Sequence, residues 1–222
     1  MKVAILGAAG KIGGLTVAEA VAAGHTTIAL ARNPARIVEP RAPGSTFPGQ
    51  ISRITGDARD PEAVDRAISG VDAVICTFGA PLNWSTLTRQ PTICQQATRV
   101  LIEVMKKRSI DRLVCLTAIG VGDSRSRGRP IFRSFIRPVL LGRIFADRLK
   151  QEELIRASDR RWTIVRPAEL TDGPPGPWRT VDASDRAGPE PTFVSRASVA
   201  KFLVQEAERS EFLHRSPILA DA

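Results

Sequence analysis

An apolar run at Lys2 to Leu6 breaks into Gly7-Ala8-Ala9-Gly10-Lys11-Ile12-Gly13-Gly14 and continues as an alanine-rich stretch ending near Gly24. A strand, a glycine-spaced turn and a helix in that order leave few folds open, because each glycine answers a separate steric demand. Gly7 permits a sharp turn, Gly10 lets backbone approach a diphosphate with no Cβ in the way, and Gly13 lets the helix lie close to the strand. The helix N-terminus then faces the ligand, where unpaired N–H groups and the positive dipole end stabilise phosphate charge. A dinucleotide-binding turn is the expectation. Glycines that merely turn the chain are the plain alternative.

The rest of the chain keeps the rhythm this turn implies. Short apolar runs at Thr26 to Ala31, Ser52 to Thr55, Ala73 to Thr77, Arg112 to Thr117 and Trp162 to Arg166 read as buried strands. Between them Leu15 to Ala23, Pro61 to Ile68, Pro91 to Arg108 and Ile144 to Ala157 carry apolar residues at helical spacing, Ile93, Ala97, Val100, Leu101 and Val104 making one such stripe. Ser195 to Glu208 reads as a last helix and Pro217 to Leu219 as a short final strand. The pattern predicts an α/β chain: a Rossmann-type, doubly wound parallel sheet in a three-layer α/β/α sandwich, with residues 1–222 forming a single domain. Two stretches break the rhythm. Glu39 to Gly49 reads as a surface loop, and the proline-rich Leu170 to Pro191 as a long irregular excursion, a kind of loop that is usually functional or disordered.

A chain of 222 residues buries roughly 70 to 75% of its unfolded surface and needs no covalent staple. Cys76, Cys94 and Cys115 are widely spaced, two of them inside apolar runs, so neither a disulfide framework nor a metal site is suggested and a cytoplasmic setting is expected. Neither a signal peptide nor a membrane span is expected, since the first apolar run stops after about five residues. The net charge of +9 invites a nucleic-acid reading, yet seven arginines against Asp147 alone between Arg125 and Arg148 supply +6 of it. A locally basic segment is a poor match to the spread of cations that tracks a phosphate backbone, so nucleic acid is disfavoured.

The second strand bears on the cofactor. Chains that take NAD commonly place an acid about 20 residues beyond the glycines, on the ribose 2′-OH. Here that place holds Arg32, in Ala31-Arg32-Asn33-Pro34, with Arg36 one turn later. A carboxylate repels a 2′-phosphate, whereas a guanidinium pairs with it, which points to NADP(H) over NAD. A solvated arginine at a strand end is the other reading.

The glycine turn, Arg32-Asn33-Pro34, Gly56-Asp57-Ala58, Val71-Asp72-Ala73-Val74-Ile75 and Thr163-Ile164-Val165-Arg166-Pro167 together resemble the atypical short-chain dehydrogenase/reductase group. The likeness is greatest to its NmrA-like and biliverdin reductase B (flavin reductase)-like NAD(P)H-binding members, and it runs from Lys2 to about Leu219. The resemblance implies that Gly7, Gly10, Lys11 and Ile12 wrap the pyrophosphate and that Arg32 holds the 2′-phosphate. It places Asp57 and Ala58 against the adenine, Thr77, Phe78 and Gly79 along the cofactor toward the nicotinamide ribose, and Thr117 at the reacting ring. Pro167 to Leu170 line the nicotinamide side. Ordinary strand-end packing is the alternative for Thr77 and Thr117.

Tyrosine-dependent members of the wider superfamily protonate a carbonyl with a Tyr four residues before a Lys. This chain has no tyrosine, and the residue four before Lys150 is Ala146. Lys150 is either the ribose-binding lysine or a helix-surface lysine near Glu152 or Glu153. Hydride transfer to a flavin, quinone or other conjugated acceptor suits such a site, since the acceptor delocalises the arriving charge. Glu169 is a candidate proton shuttle if burial raises its pKa, and a solvated loop carboxylate otherwise. The third reading has no chemistry: a sensor of NmrA type that reports nicotinamide redox state to a partner. His25 and His214 pair with no nucleophile signal, so a hydrolase triad finds no support. Residues 125–148 interleave arginines with Ile131, Phe132, Phe135 and Ile136, which reads as a substrate lid gripping an anionic planar molecule, a membrane-facing surface, or a packed helix with a solvated arginine face. Monomer and homodimer are equally compatible with the sequence.

Overall fold

The computed structural model describes residues 1–37, 49–80, 91–130, 141–185 and 187–222. Its elements run β1 (Lys2–Leu6), α1 (Lys11–Ala22), β2 (Thr26–Ala31), β3 (Gln50–Thr55), α2 (Pro61–Ile68), β4 (Ala73–Cys76), α3 (Ile93–Lys107), β5 (Arg112–Leu116) and α4 (Gly142–Arg156). They continue with β6 (Arg161–Pro167), β7 (Glu169–Thr171), β8 (Trp178–Val181), β9 (Phe193–Ser195), α5 (Arg196–Arg209) and β10 (Ile218–Asp221). The main sheet has the order β3-β2-β1-β4-β5-β6-β10-β8. Every neighbouring pair in it is parallel except β10 and β8. The strand order reverses beside β1, the topological switch point at which open α/β sheets bind ligands.

The expected three-layer sandwich is present. Helices α1 and α5 cover one face of the sheet, and α2, α3 and α4 the other. Strand alternation sends Val3 and Ile5 of β1 toward Val17, Ala20, Val199 and Leu203, while Ala4 and Leu6 meet Val64, Leu101 and Ile155. Both faces of β4 and β5 are buried, which is why these strands read as unbroken apolar runs rather than alternating ones. Burying each Val, Leu or Ile contributes roughly 1.5–3 kcal/mol against chain entropy. On α1 the buried Ile12, Thr16, Val17, Ala20 and Val21 trace one stripe, and Gly24 takes the left-handed turn that ends the segment, at φ +85°.

β1, β2 and α2 begin and end where the sequence predicts. β4 and β5 stop one residue early, at Cys76 and Leu116, although Thr77 N–H still donates to Leu6 and Thr117 N–H to Val165, prolonging each ladder. The expectation of an irregular excursion over Leu170 to Pro191 needs correction. Leu170 and Thr171 belong to β7, which pairs with β9, and Trp178–Val181 forms β8 against β10, with Val181 opposite Ile218. A four-residue strand close to Pro174, Pro175 and Pro177 has little local signal, and its partner lies beyond the last helix. Most of the loop expected over Glu39 to Gly49, and Ile131 to Leu140 of the basic segment, lie outside the described residues.

One buried guanidinium fastens the excursion. Arg127, 1% exposed, donates to the carbonyls of Asp182, Ala183 and Asp185 and pairs with Glu190. A second lies at the amino end of β5. Arg112 donates to Glu206 Oε1 at 2.7 Å, to the Glu206 carbonyl at 2.6 Å and to Thr163 Oγ1 at 3.0 Å, joining α5 to β5 and β6. Glu206 also accepts from the N–H groups of Glu211 and Phe212. Removing one member of a buried pair strands the other charge. Glu206→Leu is therefore expected to lower stability by about 3–5 kcal/mol, read from the urea unfolding midpoint at unchanged m-value.

Candidate functional site

The turn after β1 is built around spaces that no side chain fits. Gly7 sits at φ +88°, and a Cβ there would lie 2.6 Å from the backbone nitrogen of Phe78, just past β4. A Cβ at Gly13 would strike the carbonyl of Gly7 and lie 2.8 Å from Thr77 Oγ1. Gly10 differs, because a Cβ there would meet only the Gly7 carbonyl, at 3.2 Å. The first two glycines are demanded by the protein's own backbone, whereas the third leaves open the ground in front of α1. That helix begins with no side-chain cap and no acid in its first turn, so the N–H groups of Lys11, Ile12 and Gly13 find no acceptor within the helix. The starts of α2 and α5 are capped by Asp60 and Ser195, and that of α3 by Asp147, which accepts from the N–H groups of Cys94 and Gln95. An open cradle with free donors fits a diphosphate.

Past the ends of β2 and β3 lies a group of charged side chains. Arg32 is exposed just past β2, and Arg36 is exposed in the turn Pro34–Arg36, which Asn33 caps through the N–H of Ala35 at 3.2 Å. Asp57, in the turn after β3 and within electrostatic reach of Arg32, is occupied elsewhere. It accepts from Arg59 Nε at 3.0 Å, Nη2 at 2.7 Å and the Arg59 N–H at 2.9 Å. The Arg59 hydrogen bonds outweigh burial and, with help from the charge of Arg32, hold the Asp57 carboxyl at about 2. Ala58 packs beside it against the core on the α2 side of the sheet.

The residues expected along the other half of the ligand divide in two. Thr77 turns its hydroxyl inward, donating to the Leu6 carbonyl at 3.0 Å, so it shapes the glycine turn. Phe78 is buried in the core, and Gly79 leaves room for a guanidinium, since a Cβ there would collide with Nη2 of Arg148. The Ile119 N–H donates to the Pro167 carbonyl, the Ala168 N–H to Leu219, and Leu170 packs on the α1 and α5 side. Glu169 is half-buried. Its Oε2 accepts from Arg129 Nη1 at 3.1 Å, and its Oε1 is buried without a partner among the described residues.

Thr117 leads into a network that the sequence reading did not contain. Its hydroxyl donates to Glu152 Oε1 at 2.8 Å, and Glu152 accepts Nε of Arg166 at 3.0 Å and Nη2 at 2.6 Å. Arg166 Nη2 also meets Asp123 at 2.6 Å. Arg166 and Glu152 are 0% and 1% exposed. Burial alone would lower the pKa of Arg166, but Glu152 and Asp123 outweigh it and raise it. Gly122, at φ +57°, passes close over the pair. A charged residue inside an apolar strand, at Ile164-Val165-Arg166, was the available signal, because a buried guanidinium requires a partner.

The ribose-lysine reading of Lys150 is not the geometry seen. Lys150 is exposed and pairs with Glu153 at 2.7 Å. The cation that α4 lays over the strand ends is Arg148, two residues earlier, whose Nη1 donates to the Leu116 carbonyl at 2.8 Å and to Gln151 Oε1 at 2.9 Å. The cysteines lie beneath, all free thiols, and burial pushes Cys76 well up and Cys94 to about 11. Neutral thiols of that kind are poor nucleophiles. Among the described residues no group of three His, Cys, Asp or Glu is placed to hold a metal, and no helix is long and apolar enough to cross a membrane.

Comparison with known proteins matches residues 7–210 to a family model described as NAD(P)H-binding. Oxidase pynE of Aspergillus niger is 25% identical, the match covering 77% of each chain. Among solved structures, ChuY, an anaerobilin reductase from Escherichia coli O157:H7, superposes with a TM-score of 0.77 at 23% identity, over 100% of this chain and 97% of its own. A wide-type short-chain dehydrogenase/reductase from Veillonella parvula, solved in complex with NADP, gives 0.76 at 16% identity, over 99% and 94%.

Two glycine substitutions separate fold from ligand. Gly7→Ala forces a left-handed φ and a backbone collision, and is expected to cost roughly 2 kcal/mol or more without any ligand. Gly10→Ala is expected to cost less than about 1 kcal/mol yet to weaken dinucleotide binding, as measured by denaturation and by NADPH fluorescence on the same samples. Asp57 gives a pH signature. Its carboxyl lies below the ordinary 3.8 in the folded chain, so its contribution is complete above about pH 4 and lost as pH falls through about 2. Asp57→Asn should lack that limb, so the difference in unfolding midpoint between parent and variant shrinks as pH falls from about 4 toward 2.

Proposed function

The chain belongs to the NAD(P)H-binding family, and we propose that it is an NADP(H)-dependent reductase that passes hydride to a flavin, quinone or other conjugated acceptor without a tyrosine proton donor. The observation that carries the cofactor choice is the pair of exposed arginines, Arg32 and Arg36, beside a carboxylate already neutralised by Arg59. A ribose 2′-phosphate meets these cations there, beside an acid that Arg59 already pairs. Backbone N–H groups at Lys11 and Ile12 bind the diphosphate over Gly7 and Gly10, with Ala58 on the adenine side. Thr77, Phe78 and Gly79 flank the ribose at the other end, and Pro167 to Leu170 close the opposite wall.

The acceptor class follows from what Thr117 can do. Its proton is committed to Glu152, which also pairs with Arg166, so Thr117 presents lone pairs and orients a ligand rather than acidifying it. NADPH, when bound, supplies the hydride. A carbonyl acceptor would need an acid at the same place, whereas a conjugated ring spreads the charge and takes its proton from solvent. Glu169, with one oxygen held by Arg129 and the other unpartnered, relays that proton at Oε1. The names carried by similar proteins, an oxidase and an anaerobilin reductase, support redox work on extended acceptors. The reducing setting that suits three free thiols is the cytoplasm. A second reading rests on the same committed hydroxyl: a domain whose Thr117 cannot act as the acid also suits a sensor of NmrA type that binds NADP(H) without turnover.

Titration of protein fluorescence with NADPH and NADH is expected to favour NADPH. Arg32→Glu is expected to reverse this, weakening NADPH at least about 10-fold, the equivalent of one charge-assisted hydrogen bond, while NADH changes little. NADPH oxidation with FMN, a quinone or a linear tetrapyrrole identifies the reductase. Tight NADPH binding with no oxidation across all three identifies the sensor.

A further inference from the structure

Buried arginines in this protein come with carboxylates. Arg112 has Glu206, Arg127 has Glu190, Arg160 has Asp111 and Asp159, and Arg166 has Glu152 and Asp123. Arg148, half-buried at the carboxyl ends of β4 and β5, makes no ion pair with any described residue and donates only to neutral oxygens. The neighbouring Asp147 does not serve it, because both of its carboxylate oxygens are engaged by the start of α3. Nor do residues 81–90 or 131–140 contain an acid.

The guanidinium is also held in place. Gln151, 0% exposed, accepts from Arg148 Nη1 while its own amide donates to Thr98 Oγ1 at 3.1 Å and to Cys115 Sγ at 3.2 Å. The Leu116 carbonyl fixes the same nitrogen from the other side. Nη2 packs against Gly79, in the space that a Cβ there would fill. A half-buried, oriented cation with no counter-charge among the described residues favours an arriving anion. Its place is over β4 and β5, on the side of the crevice away from Arg32 and one strand or more from the glycine cradle on β1.

We propose that Arg148 is the specificity-determining anchor for an anionic group, a carboxylate or phosphate, on the hydride acceptor. The proposal rests on the reductase reading for the word acceptor, but the binding it predicts does not require turnover. A planar acceptor bearing an oxyanion at its edge places that oxygen on Nη2, with the ring extending toward Thr117 and the wall at Pro167 to Leu170.

FMN and riboflavin share a ring system and differ by one phosphate, so they isolate this interaction. The NADP-loaded protein is titrated with each, following quenching of flavin fluorescence. FMN is expected to bind at least about 10-fold more tightly than riboflavin, the equivalent of one charge-assisted hydrogen bond. Arg148→Met should bring the two together while leaving the Kd for NADPH within about twofold. Arg148→Lys keeps the charge but not the fork, and should retain only part of the preference; it also serves if the Met variant does not fold. Equal affinity of the parent protein for both flavins, or binding of neither, overturns the proposal. So does a Met variant that loses NADPH and keeps the FMN preference, which assigns Arg148 to the cofactor's phosphates. Flavin preference without NADPH oxidation leaves the anchor standing and removes the reductase.

Discussion

Much of this structure follows from one close approach. The turn between β1 and α1 lies so near the backbone that leaves β4 that no side-chain carbon fits at Gly7, and the Gly7 carbonyl in turn leaves none at Gly13. That contact brings the helix start to the strand ends, and it can form only where β4 has crossed to the far side of β1 in the sheet. Strand order, turn geometry and an uncapped helix start are thus aspects of the same packing decision. The ligand cradle is what remains when the protein's own backbone has taken the space it needs.

Around that cradle, charge is distributed by rule. Arginines deep in the protein are balanced by carboxylates, several of them drawn from distant parts of the chain, as when Glu206 of α5 meets Arg112 of β5. Such pairs add little net stability over apolar packing, but they penalise any arrangement that separates the partners. Two cations with no carboxylate partner among the described residues stand past the carboxyl ends of the strands, Arg32 after β2 and Arg148 over β5. An electropositive crevice in an otherwise compensated interior is selective by position rather than by total charge.

The sequence discloses this fold wherever a local rule governs. Gly7 and Gly13 mark the turn because sterics leave no alternative, and β1, β2 and α2 are bounded by residues whose preferences agree with their surroundings. β8 is different, since Trp178 to Val181 become a strand only by meeting β10 across a whole helix. The candidate site was legible in the same measure. Arg32 follows from its distance to the glycines, but the inward face of α4 does not follow from hydrophobic period, because that face carries Asp147, Gln151 and Glu152. With polar groups on both sides of the helix, the phase that separates Arg148 from Lys150 is set by partners in other elements. Thr117 is a candidate through its place at a strand end, while the Glu152 and Arg166 that constrain it required three-dimensional neighbours.

The Arg127 clamp bears on how the stretch after β8 behaves. Three carbonyls from residues 182–185 and the carboxylate of Glu190 converge on one buried guanidinium, so loss of that one side chain releases all of these contacts at once. Local order there hangs on a single residue drawn from far back in the chain.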